Sequence, residues 1–551
     1  RQTQARPDGV MDGYALGQHT VARAGTLAVG GYTALGATNP FASTITIGEV
    51  ASITDDLESG GALPADRTGT VQLDAAYLNA QNLGGLELAT RGAINIKNDL
   101  KLADGGYVSL LAPQISISAR ITAHGGRFSA DNLLNATPGT PTTVWQALLL
   151  NGKSGFTLSE TSSIDLSGLW LNGRGQDEGF IGLGYVDGGA ARIEFGGDVA
   201  IKQGSRIDVS SGGAILPDGA FVGGKGGDLA LIAASERVSG AAGRLTLDGA
   251  LAGYGVNSGD VLSITTGGKL VIGAQTAVED ALNLSVDRFQ SGFSAYDVNG
   301  QGGLRVAEGA SVDVAMPVYR LADVSMAAPT GMAAADALEL WTPPVYQENP
   351  LVGSLIQRGG ANLTLRSQRL MQGGAVEIGA GSVVSVDPGA TIRIASSTQM
   401  TVDGRLNAWG GSILFDEIRV QSAYYSPQAH NRSIWIGETA VLVVAGRGVS
   451  AVDAQGRRYG LVRAGGTIQL GGAFNWETGD VVATRPADMH VVLRPGAVLD
   501  ASGASLVLDL PGLDKGSPHR AVTVASDGGS IIMGSANSLY IDGVLKAAAG
   551  G

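Results

Sequence analysis

Four aspartates recur between aliphatic residues in short alternating segments, and a stack of carboxylates is one way to bind a cation or to act on a sugar. They are Asp165, Asp208, Asp313 and Asp500. Alternate side chains of a strand point to opposite faces, so inward aliphatic neighbours place these aspartates outward. An outward charge also blocks edge pairing. Because no paired carboxylates stand out, we interpret them as outward positions, and we expect Asp208→Ala to change stability by less than about 1 kcal/mol.

Two glycine-containing segments match ligand-binding motifs loosely. Residues 147–154, ALLLNGKS, match a P-loop pattern, but the loop is leucine-rich and a strand-like segment follows where a phosphate cradle needs a helix. Residues 223–228, GGKGGD, match half of a calcium-binding nonapeptide repeat. That repeat requires a large apolar residue where this chain has Ala230. We therefore expect neither a nucleotide site nor a calcium site here.

The remaining candidate residues form no recognisable constellation. Gly182, Gly184 and Gly188 lack the βαβ context of a dinucleotide fingerprint. Histidines are scattered without metal-ligand spacing, and no Ser/His/Asp set can be assembled from sequence rules. The five histidines are His19, His124, His430, His490 and His519. The Asn-Thr-Asp and Gly-His-Gly signatures of β-helical enzymes that cleave polyuronates do not occur. The sequence predicts no catalytic, cofactor-binding or metal-binding residue and does not identify a binding residue.

Two short phrases recur along the chain and predict its architecture. The first, Gly-Gly-x-aliphatic-x-apolar, occurs as GGYVSL (105–110), GGDLAL (226–231), GGKLVI (267–272), GGAVEI (373–378), GGSILF (410–415), GGTIQL (465–470) and GGSIIM (528–533). The second occurs as GSRIDV (204–209), GASVDV (309–314), GSVVSV (381–386), GATIRI (389–394) and GAVLDA (496–501). Repetition of a short strand–turn unit is typical of a solenoid.

Composition agrees with a thin, stacked core. Glycine accounts for 85 of 551 residues, and aromatic residues are only 5% against a hydrophobic share of 44%, so we expect an aliphatic interior. The net charge of −13 argues against nucleic acid as a partner. There is no cysteine, which suits a chain that crosses a membrane unfolded. No apolar run approaches the roughly 18 residues that span a bilayer.

A coil of about 20 residues buries too little apolar surface to be stable alone, so each coil must hydrogen-bond to neighbours on both sides. We expect residues 1–83 to be an irregular β-rich opening segment that is part of the solenoid, and residues 84–551 to be its shaft. Excursions are expected near 131–160, 276–300 and 316–358. The first half of 276–300 and the alanine-rich part of 316–358 each suggest a short helix.

Several phrases resemble the shaft of filamentous-haemagglutinin-like exoproteins of two-partner secretion systems. They are GSRIDVSSGG (204–213), FQSGFSAYDVNGQGGLRVAEGASVDV (289–314), SIWIGETAVLVVAG (433–446) and RPGAVLDASGAS (494–505). The resemblance covers most of 84–551. It implies an all-β, right-handed parallel β-helix, export through an outer-membrane two-partner secretion transporter, and an adhesin or contact-toxin role. We find neither an amino-terminal secretion domain nor a toxin-like tail, and we interpret the chain as a fragment or processed form.

The resulting hypothesis is a non-enzymatic shaft of a secreted bacterial adhesin at the cell surface, associated with the outer membrane. It would display segments that attach to cells or to a biofilm matrix, with no cofactor, no nucleic acid and no integral membrane segment. The receptor is not identified by sequence, and 316–358 is the expected contact surface. Alternatives are a polysaccharide-active β-helix enzyme, a β-helical phage-type fibre, and the stalk of a contact-dependent growth inhibition toxin.

Overall fold

Most of this chain is β-structure because short alternating segments repeat along its length. The computed structural model describes residues 24–30, 43–50, 58–62, 68–136, 144–174, 184–369, 373–418, 432–472, 486–512 and 517–551, and the backbone alone of 4–5, 10–12, 20–21, 473–474 and 481–482. Strands account for 48% of the structure and helices for 3%. Long parallel sheets dominate, which confirms the predicted all-β class and is consistent with a solenoid.

The chain divides into two units, each built on three parallel sheets. The first unit holds residues 1–267, 291–293 and 318–341, and the second holds 268–290, 294–317 and 342–551. In each unit the chain passes through sheet A, then B, then C, and returns to A beside the strand it left. We call one such passage a coil. Tyr107 is the register partner of Arg127, 20 residues further on, so this coil has the expected length of about 20 residues.

The sheets of the first unit comprise short strands, each paired in parallel with its neighbours. Sheet A contains Thr26–Val29, Gly85–Ala89, Tyr107–Leu111, Arg127–Asp131, Ala190–Phe195, Leu229–Ala233 and Val261–Thr266. Sheet B contains Thr70–Asp74, Thr44–Gly48, Ala93–Ile96, Gln114–Ile117, Gly155–Leu158, Asp198–Ile201 and Leu245–Leu247. Sheet C contains Leu100–Lys101, Arg120–Thr122, Ser163–Asp165, Arg206–Asp208 and Ala250–Ala252. A separate antiparallel sheet joins Gln4–Ala5, Val10–Asp12 and Thr20–Val21.

The second unit repeats this arrangement. Its sheet A contains Ala295–Gly300, Asn362–Ser367, Thr391–Ser396, Ser412–Glu417, Thr467–Phe474 and Ser530–Met533, with Val481–Val482 added antiparallel. Sheet B contains Ala281–Leu284, Lys269–Ile272, Leu304–Val306, Val376–Ile378, Met400–Val402, Ser433–Ile436, His490–Leu493 and Leu539–Ile541. Sheet C contains Ser311–Val314, Val383–Val386, Arg405–Asn407, Val441–Val443, Val498–Asp500 and Val544–Lys546.

Inward side chains stack from coil to coil, as the alternating pattern predicts. On sheet A of the first unit, the buried residues Val108, Phe128 and Ala191 are register partners on successive strands. Aromatic rings do enter this interior, contrary to the expectation of an aliphatic core. Phe156 lies with its ring centroid 6.4 Å from Phe128 and 6.1 Å from Phe195. The small side chain of Ala191 beside Phe128 leaves room for these rings.

The recurring phrases have separate structural roles. Five copies of the Gly-Gly phrase lead into sheet A and two, at 267–272 and 373–378, lead into sheet B. All copies of the second phrase lead into sheet C except 389–394, which leads into sheet A. The first glycine of that second phrase has a positive φ in every copy, for example +81° at Gly204 and +94° at Gly496. Only glycine adopts this backbone conformation readily, so the phrase encodes the corner that precedes the strand.

The second glycine of the Gly-Gly phrase lies where the backbones of successive coils approach each other closely. A Cβ atom built on Gly466 would lie 1.9 Å from the carbonyl oxygen of Gly411, and one on Gly529 would lie 1.9 Å from that of Gly466. On Gly227 the corresponding distance is 1.7 Å to the oxygen of Gly189. These glycines form columns where successive backbones meet, and no larger residue fits without displacing the neighbouring coil.

The turns differ strongly in length. The turn between sheets B and C has two to four residues in every coil described, whereas hairpins and other insertions leave the C-to-A turn. In the second unit the C-to-A hairpins are Tyr346–Asn349 with Ser354–Gln357, Gly448–Val452 with Arg458–Val462, and Ser505–Leu510 with Arg520–Ala525. In the first unit this turn holds Trp170–Asn172, Gly213–Ile215 and Phe221–Gly223.

The ranges expected as excursions hold both inserted and coil-forming elements. Range 131–160 contains the antiparallel hairpin Leu133–Asn135 with Trp145–Ala147, and also the sheet B strand Gly155–Leu158. In 276–300, the expected helix in the first half is replaced by the strand Ala281–Leu284, and a 3-10 helix follows at Val286–Gln290. Leu282 and Leu284 are buried in register with Leu270 and Ile272, and this packing outweighs the local helical pattern.

The first part of range 316–358 folds onto the first unit. The hairpin Val318–Leu321 with Leu338–Trp341 encloses the short helix Ala334–Ala337. Buried residues of this segment pack around Trp170 and Ile215 in a second apolar cluster. The indole nitrogen of Trp170 donates to the carbonyl oxygen of Ala328 at 3.2 Å. This segment is therefore part of the packed structure.

One further helix covers the start of sheet C in the first unit. Ala75–Ala80 begins after Asp74, whose carboxylate accepts the backbone N–H of Tyr77 at 2.7 Å, as in a standard N-cap. The Asn79 side chain donates to the oxygen of Asp99 and accepts from the N–H of Lys101. The helix thereby supplies hydrogen-bond partners to Leu100–Lys101, the edge strand of sheet C, which among the described residues has no strand of this sheet on that side. Neither this helix nor any other in the described chain is long and apolar enough to cross a bilayer.

The glycine columns give a direct stability test. We expect Gly466→Ala to lower the free energy of unfolding by about 2–3 kcal/mol, because the new methyl group would displace the Gly411 carbonyl. Gly268→Ala is the matched control, since Gly268 also belongs to a Gly-Gly phrase but its nearest neighbour is 3.8 Å away. Urea denaturation measures both. The two substitutions reduce unfolded-chain entropy equally, so equal stabilities would show that close approach is not the reason for this glycine.

Candidate functional site

The candidate site is a groove on the outer face of sheet A in the first unit. It has a volume of about 800 Å³. Its lining residues come from six successive strands, from Gly85–Ala89 to Val261–Thr266. With strands spaced about 4.8 Å apart, five spacings give a groove roughly 24 Å long that runs across the strands. We call it the sheet A groove.

Small outward side chains form the floor of the sheet A groove. Ser109, Ser129, Ala230 and Ser263 occupy the middle of their strands, and the hydroxyl of Ser129 donates to that of Ser109 at 3.2 Å. The backbone N–H and C=O groups below them are committed to the parallel ladder. The floor therefore offers hydroxyl groups to a ligand but no free main-chain partners.

Two tyrosines border the groove. The hydroxyl of Tyr107 donates to the Glu87 carboxylate at 2.6 Å and lies 3.2 Å from the hydroxyl of Thr26. Tyr185 packs over the corner glycines: a Cβ on Gly105 would meet its ring at 2.0 Å. Tyr185 has a φ of +62°, a left-handed conformation that costs a bulky residue about 1–3 kcal/mol. Tyr185 is held in this conformation by packing on the glycine corner and by a hydrogen bond from the Leu169 N–H to its backbone carbonyl oxygen.

Charged residues are unevenly paired along the sheet A groove. Arg127 is exposed and forms no ion pair within the described chain. On the next strand, Arg192 donates from Nε and Nη2 to one oxygen of Glu194 at 3.0 and 2.6 Å. At the far end, Asp228 accepts the N–H of Val261 and hydrogen-bonds Asp260, whose pKa is raised by burial and by the Asp228 charge. The centre is thus cationic and the ends are anionic.

A carboxylate pair lies beside the groove at the ends of two strands. Asp131 and Glu194 are register partners on adjacent strands. Glu194 is 5% exposed and also accepts from Ser235 at 2.6 Å. Burial raises the pKa of Asp131 to about 7, and the charge of Glu194 also raises it. The hydrogen bond from the N–H of Leu133 and the charges of Arg237 and Arg192 act in the opposite direction. Arg237 approaches Glu194 at 3.6 Å and stacks over the Trp145 ring at 5.2 Å, which fastens the 133–147 hairpin over the pair.

The P-loop-like segment borders a second groove, on the outer face of sheet B in the first unit. This groove has a volume of about 880 Å³, a floor that includes Asn95, Ser116 and Thr157, and Lys153 on its rim. Lys153 exchanges backbone hydrogen bonds with Leu150, and a strand begins at Gly155. Among the described residues the loop leads into this strand and not into a helix N-terminus, whose N–H groups cradle the phosphate in a P-loop. Lys153 is an exposed cation on the rim of the groove.

The other glycine motifs also have structural roles. In 223–228, Gly223 ends a strand of an inserted hairpin and Asp228 lies on the sheet A groove. Gly188 sits against the carbonyl oxygen of Val209, where a Cβ would be 1.9 Å away. Gly184 lies in the connection that follows Trp170–Asn172, and Gly182 lies outside the described residues.

The four aspartates do not share one environment. Asp165 and Asp208 are register partners on sheet C of the first unit, whereas Asp313 and Asp500 lie on separate strands of sheet C in the second unit. Asp313 is exposed, as predicted, and Asp165 and Asp500 are half-buried. In the described chain no group of three or more Asp, Glu, His or Cys side chains is placed to hold a metal ion.

Asp208 corrects the prediction of a tolerant outward position. It is only 9% exposed, because the segment 318–341 covers this face of sheet C. One carboxylate oxygen accepts two bonds from Arg206, at 3.1 and 2.6 Å, and the other accepts the N–H of Ser210 at 2.9 Å. The ring of Tyr319 lies nearby, and burial together with the Asp208 charge raises the pKa of Tyr319 to about 12.

The described histidines are separate from one another. His124 contacts the oxygen of Ser167, His490 contacts the hydroxyl of Ser538, and His519 lies 3.4 Å from Arg457. His19 and His430 lie outside the described residues.

In the second unit, Asp416 and Glu417 are fully buried. Burial raises the pKa of Asp416 to about 6, against the opposing charge of Arg393, while Glu417 binds Arg432 at 2.5 Å.

Sequence reasoning missed the residues of the sheet A groove. Arg127 follows the glycine pair Gly125-Gly126 as an outward first residue of its strand, a position that the repeated phrase marks as variable. Tyr185 lies in an insertion without any repeat signal. A search for aromatic and charged residues at outward positions of successive coils would have found Glu87, Tyr107 and Arg127.

Comparison of the chain with protein-family models, with curated proteins and with solved structures finds no match.

Asp208 gives a prediction opposite to that from sequence. We expect Asp208→Ala to cost about 1.5–3 kcal/mol, because it leaves the N–H of Ser210 without its acceptor and Arg206 without its partner. Asp313→Ala, at an exposed position of sheet C in the second unit, is the control and should cost less than about 0.5 kcal/mol. Chemical denaturation measures the free energy of unfolding of both variants. Similar small losses of stability in the two would show that the bonds of Asp208 to Arg206 and Ser210 do not stabilise the fold.

Asp131 gives a pH prediction. Its folded pKa of about 7 lies above the ordinary value of 3.8, so the folded state favours the protonated form. The stabilising contribution is full below the unfolded pKa and is lost as pH rises through about 7. We expect Asp131→Asn to be more stable than the parent at pH 8 and to keep only a smaller advantage at pH 5, as measured by Tm. Asp104→Asn, at an exposed turn, is the control for removing a carboxylate from the first unit. A constant difference for Asp131→Asn would contradict this assignment.

Proposed function

We propose that the chain is a right-handed parallel β-helix and that it forms the non-enzymatic shaft of a large secreted bacterial surface adhesin of the filamentous-haemagglutinin-like kind. In this proposal an outer-membrane two-partner secretion transporter exports the protein. The shaft then displays inserted segments that attach to cells or to a biofilm matrix. The phrases of the sequence suggest the family, and the long parallel sheets agree with the fold that it implies.

The observation that carries this proposal is the row of hairpins in the second unit. All three leave the C-to-A turn, and they contact one another side by side. Arg458 joins the second hairpin to the third through two contacts with the Asp509 carboxylate, at 3.2 and 3.0 Å, and through its backbone N–H at 2.7 Å. The first hairpin also lies against the second, since a Cβ atom built on Gly353 would be 3.8 Å from the ring of Tyr459. A continuous presented surface of this kind suits attachment.

The hairpin at 346–357 is the best candidate for the contact surface within the predicted range 316–358. Its turn exposes Leu351 by 88% and Val352 by 72%, and Ile356 beside them is also exposed. In contrast, 318–341 is packed onto the first unit through its apolar cluster. Exposed aliphatic residues at a hairpin tip suit contact with another surface better than residues that are already packed.

The groove geometry favours display over catalysis. Glu87 and Asp228 lie four strands apart, roughly 19 Å, which exceeds the carboxylate separation of glycoside hydrolases. The alternative of a polysaccharide-active enzyme rests on Asp131 and Glu194, which are register partners on adjacent strands. Glu194 is engaged by Arg192 and Ser235 and is nearly inaccessible to a substrate.

The chain offers a matched pair of variants for a test of attachment. Residues 346–357 and 448–462 can each be replaced by an Asn-Gly turn, because the Arg358 N–H bonds the Val345 oxygen at 3.1 Å and the Arg463 N–H bonds the Arg447 oxygen at 2.8 Å. Cells that produce the full-length protein with the 346–357 replacement are expected to attach several-fold less, with unchanged surface display, whereas the 448–462 replacement retains attachment.

Five outcomes would count against the proposal or one of its parts. Absence of the protein from the cell surface would remove the adhesin role, and equal attachment of both variants would remove 346–357 as the contact surface. Release of reducing ends from a polysaccharide, abolished in Asp131→Asn, would favour the enzyme. A trimeric mass in solution would favour the phage-type fibre. Toxicity to neighbouring cells without attachment would favour the growth-inhibition stalk.

A further inference from the structure

We propose that the sheet A groove of the first unit binds an extended acidic polysaccharide, one in which only some sugars carry a carboxylate. The polymer would lie along the groove, across six strands. This site goes beyond the shaft role, since it lies on the first unit and uses none of the hairpins proposed for attachment.

The length and openness of the groove select a polymer over a small molecule. A groove roughly 24 Å long accommodates several sugar rings in line, whereas a compact ligand would leave most of its lining in water. Its lining also changes from one strand to the next, from Glu87 through Arg127 to Asp228, so a ligand gains contacts by extending.

Arg127 is the reason for expecting an acidic ligand. It is an exposed guanidinium near the middle of the groove and forms no ion pair within the described chain. A guanidinium binds a carboxylate through two parallel hydrogen bonds, which are among the stronger polar contacts in proteins. Arg192 is different, because Glu194 already occupies its Nε and Nη2 atoms. The groove therefore holds one strong position for a carboxylate.

The tyrosines and serines suit the remainder of a sugar chain. Tyr107 and Tyr185 present apolar rings with polar tips beside the groove, and Tyr185 is held in a strained backbone conformation that places its ring over the corner glycines. The hydroxyls of Ser109, Ser129 and Ser263 can exchange hydrogen bonds with sugar hydroxyls. The Glu87 carboxylate, which accepts one bond from Tyr107, retains acceptor capacity for another.

The same features disfavour the other extended polymers. A peptide strand needs main-chain partners, and those of the floor are committed to the parallel ladder. A nucleic acid would bring several phosphates into the groove, where Glu87 and Asp228 stand at the two ends and Arg127 is the unpaired cation between them. A sparsely charged sugar polymer satisfies one arginine without placing an anion against either carboxylate.

Calorimetric titration of the 551-residue chain tests the site. The probes are hexasaccharides of hyaluronate and of unsulfated chondroitin, in both of which only alternate sugars carry a carboxylate, each with its carboxyl-reduced, neutral counterpart. We expect at least one acidic hexamer to bind, and Arg127→Gln to weaken that binding about 10-fold or more. The neutral counterpart should bind the parent and Arg127→Gln equally weakly. Tyr185→Asn, which retains a residue type that tolerates positive φ, should weaken acidic and neutral hexamers alike.

Arg120→Gln is the matched control. Arg120 is likewise an exposed first residue of a strand in the first unit, but it lies on sheet C, away from the groove, and this substitution should leave binding unchanged. Arg127→Gln and Arg120→Gln should keep the parent Tm, because both side chains are exposed.

Four results would overturn the proposal: no binding of any acidic hexamer, equal binding of the reduced counterparts, no loss with Arg127→Gln, or tighter binding of an oligothymidylate or a polyglutamate peptide. The shaft proposal is judged separately. Loss of hexamer binding in Arg127→Gln with intact cell attachment would support both, and failure of attachment by the parent protein would leave the groove result unaffected.

Discussion

The parallel hydrogen-bond ladder between successive coils is the interaction on which every other feature of each unit depends. Each strand places its N–H and C=O groups opposite those of the next coil, about 20 residues or more along the chain. That spacing forces like side chains into columns, so Val108, Phe128 and Ala191 must fit together rather than separately. It also forces backbones at the corners into contact, which is why Gly411, Gly466 and Gly529 carry no side chain.

The sequence predicted the all-β class and the parallel pairing of strands because the ladder imposes local rules. Alternating residues in Ser163–Asp165 and Leu229–Ala233 identify strands, and the paired glycines identify corners. The prediction was weaker where a distant segment decides the environment. Asp208 has the local pattern of an outward residue, yet 318–341, more than a hundred residues away, covers it. No rule that considers neighbours along the chain can anticipate such a cover.

The candidate site was hidden from sequence for the same reason. Its residues come from six strands separated by insertions of different lengths, so Tyr107 and Arg192 are 85 residues apart in the chain and share one surface. The repeat predicts where outward positions lie, but the side chains at those positions are free to vary because they face solvent. The residues that the motifs did single out, such as Lys153 in the P-loop-like segment, instead serve turns and rims.

The contrast between the two kinds of turn has a consequence for how proteins of this architecture diversify. The B-to-C turn is held at two to four residues, whereas the C-to-A turn of the second unit carries whole hairpins whose two ends meet at hydrogen-bond distance. A longer insertion at such a junction adds only about 0.6 kcal/mol of closure entropy per doubling of its length. New surface can therefore be acquired, lost or exchanged by recombination at this one junction, coil by coil, while the ladder beneath it stays unaltered.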